Sequence, residues 1–183
     1  MTNHGIQNEA ADIRVHVCPR ARMIYTFKVS ALVEELQKLV DEGKAKLRVA
    51  QYHGRNSGTG YVIKPEDIPS LVAVHIPRLD KFFPQFETLK TTSEKGRLGE
   101  EIVATLLMHG QIPYVGRCDV YDSEREEQLR GIDLWAIEKC GKETSVEVKA
   151  DVPGGSPELC IGRKKPTGNL YIQISEINYD KRH

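Results

Sequence analysis

Two short apolar segments, IDLWAIE at 132–138 and TSVEVKA at 144–150, flank KCGK, and Gly141 in that link suits a tight turn. They read as neighbouring strands, which obliges the second half of the chain to build a sheet. The sheet is an unusual one: Asp133 opens the first strand, and Glu147 and Lys149 sit inside the second. Residues two apart on a strand share a face, so Glu147 and Lys149 point one way while Val146 and Val148 enter the core. Pairing of the strands brings Asp133 beside Glu147. Two carboxylates held that close raise each other's pKa unless a cation sits between them, and oxygen donors favour a hard one such as Mg²⁺. A lysine beside such a cluster can position and deprotonate an attacking water or stabilise a pentavalent phosphate. These residue types point to phosphodiester hydrolysis. The plainer alternative is a solvated strand face on which Lys149 merely neutralises Glu147, an interaction that contributes little.

The flanking segments predict a mixed α/β chain. IRVHVCP and ARMIYTFKV alternate as strands, KLRVAQYH is a third, and LVAVHI reads as a buried fourth. VSALVEELQKLVDEG carries leucines at helical spacing, with Ser30 as N-cap and Gly43 as stop. GRNSGTG reads as a loop and YVIKPEDIP as an edge segment leading to a turn. The aromatic and proline-bearing PRLDKFFPQFETLKTT reads as a packed connector, which sets a boundary near residue 88. Residues 1–88 then form an α+β extension for nucleic-acid contact or dimerisation, and residues 89–183 the catalytic core. In that core TTSEKGRLGEEIVATLLMHG predicts a helix, with Thr91 and Glu94 spaced as a capping box and Gly110 as stop. A strand in IPYVGRCDVYD, a charged hairpin in SEREEQLRG and a last strand in NLYIQIS complete the order.

Composition narrows the function classes. A chain of 183 residues with 39% hydrophobic content can bury a sizeable core. The formal net charge is zero, which argues against a protein that coats nucleic acid indiscriminately. Residues 1–64 nevertheless hold ten Lys and Arg against six Asp and Glu, while residues 65–183 hold sixteen against twenty. A carboxylate site would make its own half acidic and leave phosphate contacts partly to the other. Cys18, Cys118, Cys140 and Cys160 show no C-x-x-C pairing, so a zinc site or disulfide framework has little support. His16, His53, His75 and His109 lack paired spacing and read as core-edge or helix-end residues. The longest apolar run, IVATLLM, is too short to span a bilayer and no signal peptide opens the sequence, which predicts a cytoplasmic protein without a membrane partner.

GID at 131–133, followed across one hairpin by VEVKAD at 146–151, resembles the bipartite signature of the PD-(D/E)XK nuclease superfamily, and KGRLGEEIVATLLMHGQIPYV resembles the helix that precedes it. The resemblance covers roughly residues 91–178. It implies a restriction-endonuclease-like αβββαβ core with a central mixed sheet, and Mg²⁺-dependent cleavage of DNA with Mn²⁺ able to substitute. Asp133, Glu147 and the main-chain carbonyl of Val148 would hold the metal, Lys149 would be the catalytic lysine, and Glu100 the auxiliary acid and further ligand. Glu100 is preferred to Glu101 because it follows the small Gly99 and lies in helical step with Val103 and Leu107. The family's proline is Ile132 here. Pro153, Gly154, Gly155 and Pro157 oppose the helix expected after the third strand. TGNLYIQISE resembles the family's final strand, with Gln173 facing the site.

DNA contacts are expected from Arg163, Lys164 and Lys165, beside Gly162 and Thr167, and from a loop carrying Arg55, Asn56 and Lys64. A solvated basic loop is the alternative for the first group and a plain hairpin for the second. HGRNSGTGYVIK lacks the G-K-[ST] ending of a nucleotide-binding loop. Because one metal centre addresses one strand, a homodimer is expected on duplex DNA. A restriction endonuclease is the first expectation. A recombination or repair nuclease of the Holliday-junction-resolvase kind and a catalytically silent binding module are the alternatives.

Overall fold

The computed structural model describes residues 11–19, 21–52, 55–150 and 170–173. Along them run β1 (Ile13–Cys18), β2 (Met23–Lys28), α1 (Val29–Asp41), β3 (Lys46–Tyr52), β4 (Arg55–Ile63), β5 (Val72–His75), α2 (Phe83–Thr88), α3 (Thr92–Met108), β6 (Cys118–Asp122), α4 (Arg125–Gln128), β7 (Leu134–Glu138), β8 (Glu143–Ala150) and β9 (Leu170–Gln173). The protein is thus mixed α/β. A six-stranded mixed sheet has the order β5-β2-β1-β8-β7-β6, and a three-stranded antiparallel sheet the order β3-β4-β9. Within the larger sheet every pairing is antiparallel except that of β1 with β8.

The centre of the large sheet follows from side-chain burial. Every residue of β1 is buried, so both of its faces are covered. Ile13, Val15 and Val17 share one face with Val146, and α3 lays Ile102, Val103, Leu106 and Leu107 onto it. These four recur at the 3.6-residue period, which is why the segment buries one stripe of a helix. Thr91 begins it with a reciprocal cap: its Oγ1 accepts from Glu94 N–H at 3.1 Å while Glu94 Oε2 accepts from Thr91 N–H at 2.9 Å. Leu107 is fully buried, and truncating it to alanine would cost about 2–5 kcal/mol. A second cluster joins Phe27 to Leu32, Leu36 and Leu39 of α1 and to Ile63 and Ile68. No helix of the described residues is long and apolar enough to cross a membrane.

Several expectations change. β2 runs directly into α1, because Val29 N–H donates to the Asp12 carbonyl; Lys28 therefore takes the cap position and Ser30 lies within the first turn. GRNSGTG is strand from Arg55 onward, since this part of β4 pairs with β3, and β9 joins on the other side only from Gly60. β5 is an exposed edge strand, with only Val74 partly covered. SEREEQLRG contains the single turn α4, held by a Glu124–Glu127 capping box.

The largest difference concerns the last strand. β9 pairs with β4 in the smaller sheet, and the place beside β8 is filled in parallel by β1. Residues 1–88 accordingly supply three of the six central strands and share one core with α3 and β6–β8. The boundary at residue 88 does not divide the sheet. Burial accounts for the place of β1: its apolar face meets α3, and on its other face Arg14 pairs with Glu147 of β8.

Candidate active site

Asp133 precedes β7 and grips β8 on both sides of Glu147. Its N–H donates to Val146 O at 2.9 Å, and its Oδ2 accepts from Val148 N–H at 2.7 Å. Glu147 is buried on the next strand with Lys149 two residues on, and Lys149 Nζ approaches Glu147 Oε1 at 2.6 Å. From the other side β1 contributes Arg14, which stands opposite Glu147 in the ladder. Arg14 Nε and Nη2 lie 3.0 and 2.9 Å from Glu147 Oε2. A carboxylate this buried needs such partners, because desolvation of an unpaired charge costs several kcal/mol.

The third carboxyl comes from α3. Gly99 allows the helix to lie close to β8: a Cβ there would stand 2.9 Å from the Cβ of Ala150. The next residue, Glu100, is half-buried and has Asp133 and Asp122 among its charged neighbours. Burial first, and the Asp133 and Asp122 carboxylates second, push its pKa up to about 7. Burial likewise raises Asp133; the Val148 N–H opposes the rise, Glu147 adds to it, and the Lys149 and Arg14 charges lower it. Glu101, by contrast, is exposed and meets Arg97 at 3.6 Å.

The donor chemistry suits a hard divalent cation at one end of this row. Glu100, Asp133 and Asp122 are oxygen donors whose mutual repulsion such an ion would relieve. At the other end the fit is conditional, because both oxygens of Glu147 already meet cations. Among the described residues no three acidic, histidine or cysteine side chains converge as a ready ligand cage. The expected Asp133–Glu147 neighbourhood is therefore present, with Glu147 neutralised from within the protein.

The expected DNA contacts fare differently. Arg163, Lys164 and Lys165 lie outside the described residues. Arg55 and Asn56 begin β4 and the exposed Lys64 follows its end, roughly 30 Å away at strand spacing, so the three do not share one loop. Gln173 belongs to β9 and pairs with Gly60 in the smaller sheet, which removes the basis for placing it at this site.

Sequence reasoning missed Arg14 and Asp122, and it placed His16 no deeper than the edge of the core. The alternation of IRVHVC suits a half-buried strand with Arg14 on its open face, and only a wholly buried strand would have demanded an acidic partner for the arginine. His16 is fully buried, its ring lies 5.4 Å from that of Phe27, and neither ring nitrogen has a hydrogen-bond partner. Burial, followed by the Arg14 charge, holds its pKa well below 6.5 and keeps it neutral. No protein-family model, curated protein or solved structure significantly matches this chain.

Proposed function

We propose that the protein is a divalent-metal-dependent endonuclease that hydrolyses DNA phosphodiester bonds, with Mg²⁺ as its cofactor and Mn²⁺ as a substitute. The observation that supports this most is the gathering of Asp133, Glu147 and Lys149 on adjacent strands with Glu100 brought to them by α3. The resemblance to the PD-(D/E)XK nucleases assigns these four residues their roles. Asp133, Glu147, Glu100 and the Val148 carbonyl would hold the ion, which when bound supplies charge neutralisation of the phosphate and a water of lowered pKa.

The chain's own groups would do the rest. Lys149 is partly exposed and sits beside the carboxylates, where its ammonium can hydrogen-bond the scissile phosphate and orient the attacking water. The Val148 N–H fixes one oxygen of Asp133 and leaves the other available to a ligand. Duplex scission would take two copies of the chain, one centre for each strand. A restriction endonuclease is the first form of the proposal and a recombination or repair nuclease the second.

One observation favours a second reading. With Arg14 and Lys149 on its two oxygens, Glu147 is satisfied without a metal, as it would be in a silent nucleic-acid-binding module. Cleavage of supercoiled plasmid and branched DNA in Mg²⁺ or Mn²⁺ separates the two. An endonuclease cuts, and Asp133→Ala and Lys149→Ala each lower the rate by about two orders of magnitude or more. A silent module binds and never cuts, and cutting that survives both substitutions would remove the site from the account.

A further inference from the structure

We propose that Arg14 is an internal counter-ion that competes with the divalent cation for Glu147, so that the ion binds only as the guanidinium lets go. The inference rests on the nuclease reading and adds to it a residue from outside the segment that resembles the nucleases. Arg14 stands opposite Glu147 on the parallel neighbour strand, is itself 4% exposed, and directs two nitrogens at Oε2. A metal on the same carboxylate would face a full positive charge about 3 Å from its ligand oxygen, in a place from which water is excluded. Two cations so placed repel by several kcal/mol even at a generous effective dielectric.

The asymmetry of the row supports this. Around Glu100 negative charge dominates, with Asp133, Asp122 and Glu101 acting on it and the exposed Arg97 opposing them, while Asp133 itself also feels Lys149 and Arg14. At the Glu147 end Arg14 and Lys149 supply two cations for one carboxylate. Asp133 and Glu100 would be the residues that hold a cation first, and Glu147 would become a ligand only as Arg14 is displaced from it. The displaced guanidinium is a planar donor suited to a phosphate oxygen. Metal and phosphate then bind with positive coupling, since each stabilises the state the other needs. Arg14 acts here as a positioning residue, through Glu147.

Calorimetric titration of the folded protein with Mn²⁺ tests the idea without recourse to cleavage, using the native chain, Arg14→Met and Arg14→Lys, with thermal melts to verify folding. Arg14→Met should bind Mn²⁺ roughly tenfold tighter or more, and Arg14→Lys, which keeps the charge and loses the fork, should fall between. With Ca²⁺ in place of Mn²⁺, the ion should raise the native protein's affinity for a duplex oligonucleotide, measured by fluorescence anisotropy, and raise that of Arg14→Met less. Metal affinity that is unchanged or weaker in Arg14→Met overturns the competition while leaving the nuclease reading intact. Failure of both variants to fold would show the pair to be structural support and would equally overturn it. Absence of Mn²⁺ binding in all three proteins would sink the nuclease reading, and this inference with it.

Discussion

Asp133, which leads into β7, and Glu147 of β8 are neighbouring carboxylates, yet they are held in different ways. Glu147 lies on the side of β1, where Arg14 and Lys149 meet its two oxygens. Asp133 accepts one backbone N–H, from Val148, and feels Lys149 and Arg14 only as neighbouring charges that oppose that of Glu147, while Glu100 on α3 takes the negative charge of Asp133 and Asp122. The first arrangement is built to be stable as it stands. The second carries repulsion among Glu100, Asp133 and Asp122, the charge pattern that the proposed cation would relieve.

The largest effect expected from this contrast is in stability. Glu147→Ala would take from the buried Arg14 the carboxylate that meets two of its nitrogens, so chemical denaturation should show a loss of about 3 kcal/mol, whereas Asp133→Ala should lose only about 1 kcal/mol with its single side-chain amide bond. Equal losses would erase the distinction between the two ends.

The next effect concerns the approach of α3. Gly99→Ala ordinarily gains helix propensity, but a methyl placed 2.9 Å from the Ala150 Cβ must push the helix outward. We expect a net loss of about 1 kcal/mol and weaker metal binding, because Glu100 rides on the same turn. A stabilised variant with unchanged metal affinity would show that the helix is not held close for this purpose.

The two ends should also respond differently to pH. Glu100 has a folded pKa raised to about 7, above its ordinary 4.5, so the stability it contributes is complete below 4.5 and is lost as pH rises through 7. An ion binding there must displace that proton, and its apparent affinity should climb with pH and level off above 7. His16, on the β1 side, has a folded pKa lowered below 6.5, so its cost falls on the opposite limb: stability is complete above 6.5 and is lost as pH falls below it. Melting temperatures across this range should show both limbs, and His16→Phe should flatten the acidic one alone. An acidic limb unchanged in that variant would assign it to another group.

How much of this was legible in the sequence depended on whether a residue's partner lay nearby along the chain. The capping box of α3, the β7–β8 turn and the facing of Glu147 with Lys149 are local, and spacing alone predicted them. Arg14 was invisible because its partner lies far along the chain, across a parallel pairing that no local period announces. For the same reason TGNLYIQISE reads, by resemblance, as the final strand of the core, although the register places β9 against β4 in the smaller sheet. GRNSGTG reads as a loop because glycine weakens a strand in isolation, while pairing along β3 overrides that preference, with β9 added only from Gly60 onward.

The claim at the centre of the account is that the Asp133 end is a cation site under electrostatic strain. Asp133→Asn tests it directly, because the amide oxygen can still accept from Val148 N–H while the charge is gone. Melting temperatures of the native protein and this variant should be compared at pH 8, with and without Mn²⁺. The account predicts that without metal the variant melts at or slightly above the native temperature, and that Mn²⁺ raises the native value and leaves the variant where it was. A variant that melts lower without metal, together with a native protein indifferent to Mn²⁺, would contradict it.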